Sequence, residues 1–281
     1  AVNDEKKYIQ MFAVENRTLI PGDRLRVLEK EDANGDDFGE PDLEAVAYHR
    51  QADGERYVYL AGSHGASRNT NDVDPSRFFV FRFPVRKDGE PKFRVSRDEV
   101  APEIERKDKL RQIIDHAVII GEFAETALNK NGANIEGMGL LGESVYFGFR
   151  APVEKGGAAI LRVEIDRLFG ESVADADVYS VHLGAGYGIR DMARVDDKFL
   201  ILAGAAQEAD LVPAIWSWSP DTEPRLLSVL RVPRLRKAEN LMVINEKKNE
   251  LRVLVLFDSE QNGAPVEFTI PRPRAGVAVV G

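Results

Sequence analysis

The stretch NIEGMGLL (Asn134 to Leu141), followed by SVYFGFR (Ser144 to Arg150) and GAAILRVEI (Gly157 to Ile165), decides the fold. An acidic residue opens a short apolar run, and two further apolar runs follow. The same pattern recurs upstream as DLEAVAYH (Asp42 to His49), RYVYLAGS (Arg56 to Ser63) and RFFVFRFPV (Arg77 to Val85). It recurs downstream as IRDMARV, KFLILAG and PAIWSWS, then as AENLMVI, RVLVLFD and PVEFTI. Turn pairs such as Asp53-Gly54, Asp88-Gly89 and Gly156-Gly157 separate the runs. Strand triplets repeated at intervals of tens of residues predict an all-β chain folded as a β-propeller. Counting the partial units at the ends gives five to six blades.

Glu44, Glu136, Asp191 and Glu239 occupy the same register of the repeat. The first of the three intervals is nearly twice the others. Its excess holds Ile104 to Asn129, where Leu110, Ile113, Ile114, Ala117 and Val118 recur at helical spacing. A helical insertion between blades is expected there, lying outside the ring with its apolar side turned inward. A degenerate blade is the alternative.

The chain has 281 residues, a size that one radial β domain can fill. Residues 1–281 are therefore read as a single propeller domain. Its opening, AVNDEKKYIQMFAV, looks like the middle of a blade, so the N-terminal blade is expected to be incomplete. The run AGVAVV (Ala275 to Val280) is a candidate to pair with the strand around Tyr8 to Val14 and close the ring. The net charge of −9 disfavours nucleic acid and anionic membranes as partners. With no cysteine, disulfides, zinc–thiolate sites and thiol nucleophiles are excluded. No membrane-spanning run and no targeting segment stand out. The compartment stays open between periplasmic or extracellular and cytoplasmic.

Antiparallel neighbours place the first-strand openings and the second-strand ends on one face of the disc. Glu44, Glu136, Asp191 and Glu239 would then share a channel mouth with His64, Arg150 and Arg190. Carboxylates so gathered repel one another unless something intervenes. A Ca²⁺ or Mg²⁺ ion held by the four acids is one compensation. Bidentate pairing with Arg150 and Arg190 is another. Each acid taken singly also has a plainer role, capping backbone N–H groups where strands emerge. His64 is the one histidine at a second-strand end, which makes it a candidate general base or anion contact, or a histidine satisfied by a neighbouring carboxylate. His49, His116 and His182 read as structural. GAGYGIRD (Gly184 to Asp191) has glycines like a phosphate loop but no helix after it. No organic cofactor is implied.

NIEGMG, GFRAPVEKGGAAILRV and GYGIRDMARVDDKFLILAG, with NDE near the start, DLEAVA and LAGSHGASR, resemble the bacterial domain-of-unknown-function 3616 family. The resemblance runs from about Asn3 to about Asp258 and implies a β-propeller, similar to the phytase-like or esterase-like propellers that share the Glu-Gly strand opening. The matching positions are Asn3, Asp4, Glu5, Asp42, Glu44, Ser63, His64, Asn134, Glu136, Gly137, Arg150, Gly188, Ile189, Arg190 and Asp191. The last repeat departs, with Glu239-Asn240 where Glu-Gly is expected.

Three functions fit these residues. In the first, a divalent metal on the acids, Arg150 and Arg190 as anion clamp, and His64 as proton carrier hydrolyse a small anionic ester, a phosphoester or lactone. The second is a non-catalytic propeller that binds a small molecule or a protein partner at the same mouth. The third is a structural subunit of an extracytoplasmic assembly.

Overall fold

A computed structural model describes residues 6–15, 18–171, 176–232, 237–258, 260 and 263–273. The chain is all-β in a propeller-like arrangement, and the described residues form four blades where five to six were expected. The first holds β3 (Leu43–Arg50), β4 (Arg56–Gly62), β5 (Val80–Pro84) and β6 (Glu105–Lys107). The second holds β7 (Asn134–Leu141), β8 (Ser144–Glu154), β9 (Gly157–Glu164) and β10 (Asp177–His182). The third holds β11 (Tyr187–Val195), β12 (Lys198–Ala205), β13 (Ala214–Ser219) and β14 (Thr222–Val229). The fourth holds β15 (Lys237–Glu246), β16 (Glu250–Asp258) and β17 (Val266–Pro271). Ahead of them β1 (Tyr8–Glu15) and β2 (Thr18–Arg26) form an antiparallel ribbon. It packs Ile9 and Leu25 against Leu43, Leu60, Phe81 and Phe83 of the first blade.

Every blade is an antiparallel meander with its first strand innermost. β3 abuts β7, β7 abuts β11, and β11 abuts β15. Apolar side chains on the facing sides of adjacent blades make the core. Phe147, Phe149 and Leu161 pack towards the first blade. Phe199, Ile201 and Trp218 meet Tyr146 and Ile160 of the second, with Trp218 stacked on Phe199 at 6.0 Å. Leu200, Leu202 and Ile215 meet Val253 and Val255 of the fourth.

The stretch expected to be a helical hairpin differs in part. Glu105–Lys107 pairs with β5 and completes the first blade as its fourth strand. Only Lys109–His116 forms an α-helix, α1. Short 3-10 turns follow at Gly121–Phe123 and Leu128–Lys130. Leu110 and Ile114 are fully buried among residues of the first two blades, with Ile113 and Ala117 partly buried beside them. The helix thus turns its apolar side inward against that core, as expected. Its apolar stripe is too short to serve a hairpin of two helices. Residues Asn3 to Glu5 and the run Ala275 to Val280 lie outside the described residues, and with them the expected ring closure.

Glycines let the second and third blades approach, two of them most plainly. A Cβ at Gly188 would stand 2.0 Å from the Arg150 carbonyl oxygen, and one at Gly137 would stand 2.9 Å from Met192 Cγ. Neither has a positive φ, so their role is space and not backbone freedom. Gly188→Ala should lower stability by about 3 kcal/mol through forced separation of the second and third blades. Gly22→Ala, whose Cβ would meet nothing closer than 3.6 Å, is the control, and denaturant melts of both variants make the comparison. Equal stability of the two would remove the close-approach argument.

Candidate functional site: a ring of bulged residues at the axis

Each inner strand carries a β-bulge at the equivalent place. The pairing of β3 with β4 skips Glu44, and that of β7 with β8 skips Glu136. The pairing of β11 with β12 skips Arg190, and that of β15 with β16 skips Glu239. A bulged residue is left out of the ladder, and its side chain is re-aimed. The four residues sharing a register are therefore Glu44, Glu136, Arg190 and Glu239. This corrects the expected register in the third blade, where Asp191 was aligned with the acids. Asp191 sits one residue further along, in the position of Ala45, Gly137 and Asn240.

The ring is tied together by charge. Glu136 is 4 % exposed and lies between two guanidiniums. Arg150 Nη1 donates to its Oε1 at 3.0 Å, and Arg190 Nε lies 3.0 Å from its Oε2. Arg190 Nη2 pairs in turn with Glu239 Oε1. Arg150 Nε donates to the Ala206 carbonyl oxygen at 2.9 Å. Room for the Arg190 side chain comes from Gly204, where a Cβ would stand 2.9 Å from Arg190 Cγ. Asp191 works as a clip between inner strands: it accepts from the N–H of Met192 at 2.7 Å and of Leu241 on β15 at 2.6 Å.

Burial sets the titration of these acids. It is the largest cause pushing Asp191 up to about 8, partly opposed by the two backbone N–H donors. It also pushes Glu239 up to about 7, with Glu136 adding repulsion and Arg190 opposing. Glu44 is held well above the usual carboxylate range, first by burial and then by Glu136, Asp42 and Glu239. Among the described residues its carboxyl makes no hydrogen bond or ion pair.

His64 is not brought into this ring. It is 1 % exposed, adopts φ +55°, and stacks on Phe78 at 5.8 Å. Burial, followed by the nearby Arg111, depresses its pKa to about 3, so the ring is neutral. Beside it Ser63 Oγ donates to Asp42 Oδ2 at 2.5 Å, and the Ile135 N–H donates to the Ser63 carbonyl. That group joins the first blade to the second. His49 is buried on β3, while His116 and His182 are exposed.

A cavity of about 390 Å³ adjoins the ring on its third- and fourth-blade side. Arg150 and Arg190 form part of its lining, and Lys237, Gln207, Glu208 and Asp210 reach it from the rim. Arg150 Nη2 and Arg190 Nη1 have no partner among the described residues. Sequence reasoning missed Lys237 and the Ala206–Pro213 loop, which no repeat or motif distinguishes. Among the described residues no three acid or histidine side chains are grouped as ligands of one metal ion. Arginines or backbone N–H groups already occupy Glu136, Asp191 and one oxygen of Glu239. Glu44 and the second Glu239 oxygen remain for a cation, with water completing its shell.

Glu136→Gln leaves two buried guanidiniums short of their shared counter-charge. It should cost about 3–5 kcal/mol, the cost of breaking a buried pair by removing one partner. Glu44→Gln, which breaks no pair, should cost much less. Urea melts at neutral pH decide this, and equal losses would show that the two arginines do not depend on Glu136.

The raised acids also fix a pH dependence. The folded chain keeps protons on Asp191 and Glu239 that the unfolded chain, with carboxyls near 4, has released. Stability should therefore fall as pH rises from about 4 towards 8, a sign set by protons bound in the native state. A flat denaturant midpoint across that window would refute it. The Glu239→Gln variant should show a shallower slope.

No curated protein matches the chain. Among the described residues no helix is long and apolar enough to cross a membrane. The family described as "Protein of unknown function (DUF3616)" matches residues 2–265, which is nearly the whole chain, and the protein belongs to that family.

Proposed function

We propose that the protein binds a small anionic molecule at the channel mouth and that the chemistry suited to the site is hydrolysis of a small anionic ester, a phosphoester or lactone. One observation carries this reading. Arg150 and Arg190 each keep an uncommitted guanidinium nitrogen, and both residues line a cavity of about 390 Å³. It adjoins Glu239, an acid that burial pushes up to about 7. Guanidinium groups fixed by buried carboxylates are pre-organised for an anion and lose little freedom on binding it. In hydrolysis, water would add to the acyl or phosphoryl centre as the bond to the departing oxygen breaks; that oxygen would take a proton from a ring carboxyl, and the proton the water gives up would restore the carboxyl. Glu239, poised near neutrality, has the right acidity for that exchange. The likeness to phytase-like propellers belongs with this reading. So does a blade count of five, with the ribbon of β1 and β2 as the outer part of the fifth blade.

Sulfate and a panel of aryl phosphates and aryl lactones test the site. The parent protein should bind sulfate in calorimetry and turn over at least one ester. Arg150→Lys keeps the charge but loses the planar fork, and should weaken sulfate about tenfold. Undiminished sulfate affinity in that variant would overturn the clamp. Binding without any turnover would leave the non-catalytic propeller as the function.

A second reading has its own support. The Glu44 carboxyl and the second Glu239 oxygen, without partners among the described residues, favour a Ca²⁺ or Mg²⁺ ion at the ring, with Glu136 and Asp191 nearby. A bound ion would raise the melting temperature in proportion to its occupancy of the native state. Excess Ca²⁺ should then raise the melting temperature above that in chelator, and Glu44→Gln should shrink the rise. Identical melting in both conditions would reject the metal.

A further inference from the structure

The cavity beside the ring is charged with both signs, and the signs come from different blades. Lys237 opens β15 in the fourth blade. Glu208 and Asp210 lie on the loop joining β12 to β13 in the third. All three line the cavity, and none makes an ion pair with a described residue. The floor differs. Arg150 and Arg190 offer free N–H donors, but Glu136 and Glu239 largely cancel their charge.

The acidic rim is fixed in place. The Ala206 N–H donates to the Gly186 carbonyl at 2.9 Å, and its own carbonyl accepts from Arg150. Gln207 Nε2 donates to the Leu128 carbonyl at 2.8 Å, and Tyr187 Oη donates to the Val212 carbonyl at 2.9 Å. The loop is thus pinned on both sides of Glu208 and Asp210. Apolar surface from Leu211 and Pro213 fills the space between the charged ends.

A simple anion would meet two repelling carboxylates here, and a simple cation would meet a lysine and two guanidiniums. A molecule bearing both charges satisfies each side. Resting on the anion-site reading above, we propose that the ligand is a small zwitterion. Its anionic end sits on Arg150, Arg190 and Lys237, and its ammonium end sits on Glu208 and Asp210. The substrate class is then an amino-bearing phosphoester or carboxylic acid derivative, and the rim acids are its specificity determinants.

Calorimetry with four probes tests this: O-phosphoethanolamine against ethyl phosphate, and β-alanine against propionate. The zwitterion of the preferred pair should bind about fivefold more tightly than its anion, the effect of one solvent-facing ion pair. Whichever pair binds identifies the anionic end as phosphate or carboxylate. The double variant Glu208→Gln/Asp210→Asn, on the surface and outside the ring, should abolish the preference while the plain anion binds as well or better. Lys237→Gln should weaken both members of the pair alike. Plain anions binding as tightly as the zwitterions would overturn the proposal and leave the anion site standing. A preference that survives the double variant would overturn the placement of the ammonium end. No binding of any probe would overturn the anion site and this proposal together.

Discussion

The sharing of Glu136 between Arg150 and Arg190 is the constraint on which the axis of the molecule depends. Arg150 belongs to the same blade as Glu136, whereas Arg190 belongs to the next and reaches on to Glu239 in the one after. A line of alternating charge therefore crosses three blades within a buried zone. Charges so placed are expensive to desolvate and persist only when each has a close counter-ion. Gly188 and Gly204 are part of the same arrangement, since their missing side chains let the backbone of Arg150 and the stem of Arg190 take their places.

Apolar packing between blades supplies the bulk of cohesion, and the axial network decides how the blades are oriented. Asp191 adds to this through a different contact, holding the Leu241 N–H across the joint between the third and fourth blades. Acid–arginine pairs and one acid–amide clip thus do on the inner side what Phe199, Trp218 and Tyr146 do further out. The same rigidity gives the adjoining cavity a floor of fixed donors.

Much of the fold was legible because the inner three strands of the second and third blades are mostly buried on both faces and read as apolar runs, while β3 and β16 alternate buried with more exposed residues. The fourth strands were not. TEPRLLSV of β14 is largely exposed, and the three residues of β6 are all charged, so neither leaves an apolar pattern. The four ring strands were found through their acids, which is also why the third was misaligned. NIEG laid over GIRD without a gap puts Arg190 beneath Glu136, but an expectation of like residues drew the alignment to Asp191. His64 looked like a mouth residue because of its strand-end position. A left-handed backbone turn carries it instead under Phe78, and no local sequence signal other than the adjacent Gly65 hints at that. The rim loop was invisible for a further reason: its importance arises only where the second, third and fourth blades meet.

The repeated bulge has a consequence for how such a centre can change. An ordinary strand residue is bound to its neighbours by alternation, so altering which way it faces disturbs the whole strand. A residue left out of the ladder escapes that rule. The axis of this protein can be regarded as a short word with one letter written by each blade, here Glu, Glu, Arg and Glu. Each letter can be rewritten without re-spelling the strand that carries it. Only the charge balance of the word as a whole is constrained. The arginine letter is the one that turns a set of mutually repelling acids into a stable group.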